Sequence, residues 1–346
     1  MLGSAKRRNI ILDTLIKGHI YSNAPLSSTY LVEITGLNIS SSTMRNDLAL
    51  LEKKGYIQHL HTSSGRVPTD NGYRYYVNNL MEISDLASQD KVSLSMTIQE
   101  MSSSTSQLLE ITATLLSQLT QYPVIVISES NNRNIVRFIK LLLLSADEIL
   151  AIILNEYGES EQEFIRIENH RIKPEELNKI SEQLNRMLSG KPIKNITENI
   201  DAEFKKMIYS LPKYKQLLEN IVASIKRNST KLLASNCQVK DYERLMDYPE
   251  FQEIKSLQKI TNILTDESKL IQVLSEANDV HAIQAHIGSE NQFEELQPTS
   301  IVWSKINIGQ EHIADVGVIG PKRMRYSDVF GKINFLIDQV KQKIHL

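Results

Sequence analysis

The stretch Ser40–Leu80, SSSTMRNDLALLEKKGYIQHLHTSSGRVPTDNGYRYYVNNL, reads as a helix, a short strand, a turn, a second strand and another helix. Ser40 or Ser41 can cap the first helix by accepting an orphan backbone N–H. At 100° per residue Met44, Leu48 and Leu51 share one face, while Ser42, Arg45, Asn46, Ala49 and Lys53 share the other. The apolar face must pack inward. The other face combines small residues with Arg and Asn, side chains able to bond guanine and adenine in pairs. Gly55 is placed to end the helix. Thr62, Ser63, Ser64 and Gly65 supply turn residues for a hairpin tip, with Arg66 expected to project from it. Thr69 then caps a helix carrying Tyr73, Tyr76, Val77 and Leu80 on one face.

Upstream, Lys6–Ile20 forms a helix with an apolar stripe through Ile10, Ile11, Leu15 and Ile20. Pro25 marks a break, and Ser27–Thr35 is a short helix with Leu31 and Ile34 spaced to face inward. Three helices followed by a hairpin is the layout of a winged helix-turn-helix, whose third helix enters a DNA groove. Residues 1–80 hold nine Lys or Arg and five Asp or Glu, a net +4. The whole chain is −2, so the remainder carries −6. A basic head on an acidic body suits a chain that presents only its head to DNA. The expected DNA-facing set is Ser41, Ser42, Thr43, Arg45, Asn46, Lys53, His61, Ser63, Arg66 and Thr69.

The motifs STMRND (Ser42–Asp47), LEKKGYI (Leu51–Ile57), HTSSGRVPTDNGYRYYV (His61–Val77), HIGSEN (His286–Asn291) and GVIGPKRMRY (Gly317–Tyr326) resemble those of the HrcA family of bacterial heat-inducible transcription repressors. Their order and spacing extend over nearly the whole chain. The family's usual Pro-Val-Gly-Ser-Arg segment is replaced here by Pro25-Leu26-Ser27-Ser28-Thr29, which removes a basic residue before the second helix. Ser42 stands where Ala is common. The resemblance implies double-stranded DNA bearing the CIRCE inverted repeat as target, a homodimer as the binding unit, and the chaperonin GroE as a partner that keeps the repressor active.

The remaining residues fit an α+β multidomain chain. An apolar helical stripe runs along Thr97–Tyr122, and strands are expected at Val124–Ser128, Ile135–Leu143, Glu148–Asn155 and Glu163–Ile167. Pro174 opens a helix that Gly190 ends. Residues 191–266 look almost wholly helical. Strands return at His281–Ile287, Ser300–Ile306 and Asp315–Ile319, before a last helix from Ser327. This pattern suggests an α/β domain with a mostly helical insertion, and the resemblance implies a GAF-like domain interrupted by a dimerising domain. The expected division is a winged helix-turn-helix at 1–83, a serine-rich linker at 84–106, the first GAF-like part at 107–190, the dimerising insert at 191–266 and the second GAF-like part at 267–346.

Other chemistries find little support. His59 and His61 alternate as metal ligands can, but no carboxylate or cysteine cluster joins them, and no metal is expected. No phosphate-binding loop, dinucleotide fingerprint or nucleophile motif occurs, so neither an enzyme nor a cofactor is expected. Lys322, Arg323 and Arg325 read as structural, with anion binding as the alternative. One cysteine, Cys237, precludes an internal disulfide and suits a reducing cytoplasm. Leu141–Leu154 is too short and too charged to cross a bilayer, and the first residues resemble no signal peptide. The competing function is a regulator whose GAF-like domain binds a small effector.

Overall fold

The computed structural model describes the chain outside residues 1–2, 60–64, 102–104, 129–134, 157, 159, 167–171, 194–203, 206, 210–211, 233–235, 276–282, 309–310 and 345–346. It is a mixed α and β structure with three separate sheets among the described residues.

The N-terminal head comprises α1 (Ser4–Ser22), α2 (Ser28–Thr35), α3 (Ser41–Lys53), the short antiparallel pair β1 (Ile57–His59) and β2 (Arg66–Pro68), and α4 (Asp70–Asn79). Of the residues expected inward, Ile11, Leu15, Ile20, Leu31, Met44, Leu48, Leu51, Tyr73 and Tyr76 are buried, whereas Ile10, Val77 and Leu80 are only partly so; Leu12, Ile16 and Ile57 join the core without having been expected there. Ile34 departs from expectation and is 41% exposed, because the eight-residue α2 turns only Leu31 fully inward. Gly36 and Gly55 take positive φ just past α2 and α3, where a side chain would be strained. At Gly72, a Cβ would lie 2.0 Å from the Tyr56 carbonyl, so only glycine lets α4 approach the chain leading into the hairpin.

The body is built on a five-stranded antiparallel sheet. Its order is β7 (Asn236–Lys240), β3 (Val124–Ser128), β10 (Glu311–Pro321), β9 (Thr299–Ile308), β8 (Gln284–Ile287). Both faces are covered, which is why β3 reads as an unbroken apolar run. Val124 and Val126 pack with α5 (Ser88–Met101), α6 (Thr105–Thr120) and α11 (Tyr326–Ile344) in a core shared with the head. Ile125 and Ile127 face the other way, toward α9 (Ile254–Leu264), α10 (Glu267–Ser275) and Phe251.

A second, three-stranded antiparallel sheet contains β4 (Val136–Leu143), β5 (Glu148–Asn155) and β6 (Ser160–Arg166). One of its faces packs on α7 (Pro174–Leu188) and α8 (Lys215–Leu232), forming a core of its own.

These pairings correct two expectations. Residues 84–106 are not mainly a linker: α5 lies within them, and Leu94 and Ile98, one turn apart, are buried. The serine and threonine hydroxyls that suggested a linker bond back to their own helix, Ser95 to the Lys91 carbonyl and Thr97 to that of Ser93. The stripe expected as one helix at 97–122 is divided between α5 and α6. Nor does the excursion from the main sheet coincide with 191–266. β3 pairs directly with β7, so the chain between them, carrying β4–β6, α7 and α8, is the excursion, and α9 belongs to the main sheet's core. Strand partners are non-local and could not be assigned from local pattern.

Candidate nucleic-acid interface

α3 begins at a cap in which Ser40 accepts from the Thr43 N–H at 3.1 Å. Its two faces separate as the periodicity requires. Met44, Leu48 and Leu51 are buried, whereas Ser41, Ser42, Arg45, Asn46, Ala49 and Lys53 are exposed and Thr43 is half-buried. The exposed surface therefore carries small hydroxyl side chains at the helix start, then a guanidinium and a carboxamide, then an ammonium two turns further along. This can hydrogen-bond base edges and neutralise phosphate.

Asp47 was not singled out in the sequence, although it lies between Asn46 and Leu48. It is 2% exposed. Arg7 on α1 grips its carboxylate through Nε at 2.6 Å and Nη2 at 3.2 Å, and Arg8 Nη1 lies 3.6 Å away. The Asp47 hydrogen bond raises the Arg7 guanidinium further above its ordinary value, against a smaller desolvation effect. A charged residue on the inward side of an amphipathic helix was the available signal.

The hairpin differs from expectation. Arg66 does not project: its side chain is 12% exposed and turns to Glu52, with Nε 3.6 Å from the carboxylate. Its backbone is bonded both ways to Leu26, which holds it against the head. Glu52 also lies 3.7 Å from His59 Nε2. Thr69 caps α4 by accepting from the Gly72 N–H at 3.1 Å and donates to the Gly55 carbonyl at 2.5 Å, so its hydroxyl is used within the head. His61 and Ser63 lie outside the described residues.

The far C-terminal motifs also meet the head. Lys322 Nζ is 2.8 Å from Asp70 of α4, and Arg323 binds Glu250 at 2.5 Å while donating to the Ile20 carbonyl. His19 Nδ1 is 2.7 Å from the Tyr73 hydroxyl, and burial, reinforced by Arg323, lowers the imidazole to about 4. Burial raises the Cys237 thiol to about 11. No described helix is long and apolar enough to cross a membrane.

Comparison with known proteins supports a regulator. Residues 106–330 match the family described as HrcA protein C terminal domain. The heat-inducible transcription repressor HrcA of Ruminiclostridium cellulolyticum is 30% identical over 342 residues, covering 98% of this chain and 97% of the relative. That of Clostridioides difficile is 28% identical over 340 residues, covering 98% and 99%. A hypothetical protein of known crystal structure shares the fold, with a TM-score of 0.69 at 21% identity over 97% of each chain. The two HrcA relatives belong to the class of transcription repressors. This chain is a member of the HrcA family.

Proposed function

We propose that the chain is a heat-inducible transcriptional repressor that binds an inverted-repeat operator as a homodimer through a winged helix-turn-helix head. The exposed face of α3, with Arg45 and Asn46 beside Ser41 and Ser42, carries this reading. Arg45 and Asn46 read base edges, and Lys53 meets phosphate. Thr43 supports the helix start, and Arg66 and Thr69 flank the site; His61 and Ser63, outside the described residues, complete the proposed set of DNA-contacting residues. By family resemblance the operator is CIRCE, and chaperonin of the GroE type restores the active pool.

An inverted repeat needs two recognition helices related by a two-fold axis. The outer face of the β4–β6 sheet is the surface suited to a second copy. The strand register brings Phe138 beside Leu154, Leu142 beside Leu150, and Leu150 beside Phe164. Phe138 is 40%, Leu142 38% and Phe164 63% exposed, although the opposite face of the same sheet is buried. A face of this kind is stabilised by burial against its symmetry mate.

A gel shift at a stated salt concentration tests the function, comparing CIRCE duplex with a scrambled duplex of equal length. Strong preference for CIRCE is expected; equal affinity for both would refute sequence-specific repression.

A further inference from the structure

HIGSEN and GPKR lie more than two hundred residues beyond the head in sequence, yet both close upon α4. Arg74 Nε is 2.8 Å from Glu290 Oε1, and Nη2 donates to the Ala285 carbonyl at 2.5 Å. Asp70, in the first turn of α4, accepts from the Ser289 backbone N–H at 2.9 Å and from Lys322 at 2.8 Å. Arg323 spans the junction, bound to Glu250 of the body and donating to the Ile20 carbonyl at the end of α1. Tyr73 packs on Tyr326, their ring centres 6.0 Å apart. Where the chain leaves the head, the Ser84 N–H donates to the Ser327 carbonyl at 3.1 Å.

The contacting loop is shaped for this approach. Gly288 has φ +58°, and a Cβ there would lie 2.2 Å from the Asp70 carboxylate. Burial alone would raise the Asp70 carboxyl, but Lys322 and the Ser289 N–H outweigh it and hold the group below its ordinary value. A hinged head on a flexible tether would need none of these features.

We propose that Asp70, Arg74, Glu290 and Lys322 form a clamp that fixes the head on the body and so sets the distance and angle between the two recognition helices of the dimer. These are positioning residues, since they act through the head's placement; α3's exposed face is left to the DNA. The proposal rests on the operator-binding reading above. With rigid heads, both α3 helices can engage together only at one half-site separation. With loosened heads, simultaneous engagement has a lower effective concentration at that separation and remains available at others.

The test uses the full-length chain and the double variant Arg74→Ala/Lys322→Ala, with operator duplexes whose central spacer is native or lengthened or shortened by two to four base pairs. The parent is expected to lose about tenfold or more in affinity when the spacer changes. The double variant should bind the native spacer more weakly than the parent and be nearly indifferent to spacer length. Hydrogen exchange of the peptide spanning residues 284–291 provides a reading independent of DNA. The Ser289 amide should exchange faster in the variant while peptides from α1 and α11 remain protected. Gly288→Ala, which leaves every charge in place, should reproduce both effects. A double variant with the parent's spacer preference, or with unchanged exchange at 284–291, would overturn the clamp. A parent that distinguishes CIRCE from scrambled DNA but tolerates any spacer would overturn the clamp alone. A parent that fails to distinguish the two duplexes would overturn the operator reading and, with it, this proposal.

Discussion

Arg7 on α1 holds the buried carboxylate of Asp47 on α3 at 2.6 Å, directly beneath the exposed pair Arg45 and Asn46. The contact fixes how α3 lies across the head. Asp47→Ala is expected to cost about 1–3 kcal/mol, because it removes a charged hydrogen-bonded group whose partly exposed arginines can still reach water. Arg7→Ala should cost at least as much, since it leaves a buried carboxylate whose remaining cation, Arg8, is 3.6 Å away. Thermal unfolding of the two variants measures both; equal stability to the parent in Asp47→Ala would show that the pair contributes nothing to the head.

Arg45→Ala should weaken specific binding by about 1–3 kcal/mol and leave binding to random DNA almost unchanged, as the loss of a base contact requires. Lys53→Ala should weaken both alike, with a salt dependence shallower by about one unit of slope. Circular dichroism should match the parent in each case. Arg66 is turned to Glu52, so Arg66→Ala should lower thermal stability while changing the salt slope less than Lys53→Ala does. A larger slope change at Arg66 would show that its side chain swings out onto DNA.

Phe164 is 63% exposed at the outer face of the three-stranded sheet. Phe164→Glu would place a carboxylate in the proposed dimer surface, where burying an unpaired charge is costly. The variant should run as a folded monomer in light scattering and bind a palindrome poorly. A variant that stays dimeric would move the interface elsewhere.

Acid should loosen the junction between head and body. His19 titrates near about 4 in the folded chain against about 6.5 when free. The folded form therefore resists protonation, and the stability this represents is complete above pH of about 6.5 and lost as pH falls toward 4. Asp70 is depressed below the ordinary carboxylate value, so its contribution stays constant in the upper part of that window. Melting temperature should fall between pH 7 and 5, and His19→Gln should flatten that dependence. An identical pH profile in the variant would assign the effect to other groups.

Heating should remove operator binding without any ligand. Partial opening exposes apolar strands such as β3 and promotes aggregation, which a chaperonin with ATP would counter. Titrating active repressor on operator DNA after heating, with and without chaperonin, reads this directly. Full activity after heating, with no chaperonin effect, would favour an effector-controlled regulator.

The sequence alone was sufficient for the head's elements and for the face of α3 that meets solvent, because helical periodicity, serine and threonine caps and C-terminal glycines are local signals. It also located β3, β5 and α7 to the residue, since each is bounded by Pro, Gly or a change of period. Asp47's burial depends on Arg7, forty positions away, and Arg66's inward turn depends on Glu52 and Leu26. Which strands form which sheet, and hence where the excursion from the main sheet begins, was decided by the pairing of β3 with β7 more than a hundred residues later. The meeting of Asp70 with Lys322 and Ser289 belongs to the same category. These relationships join groups whose local sequence contains no record of the partner, so only the folded chain, packing its cores together, could determine them.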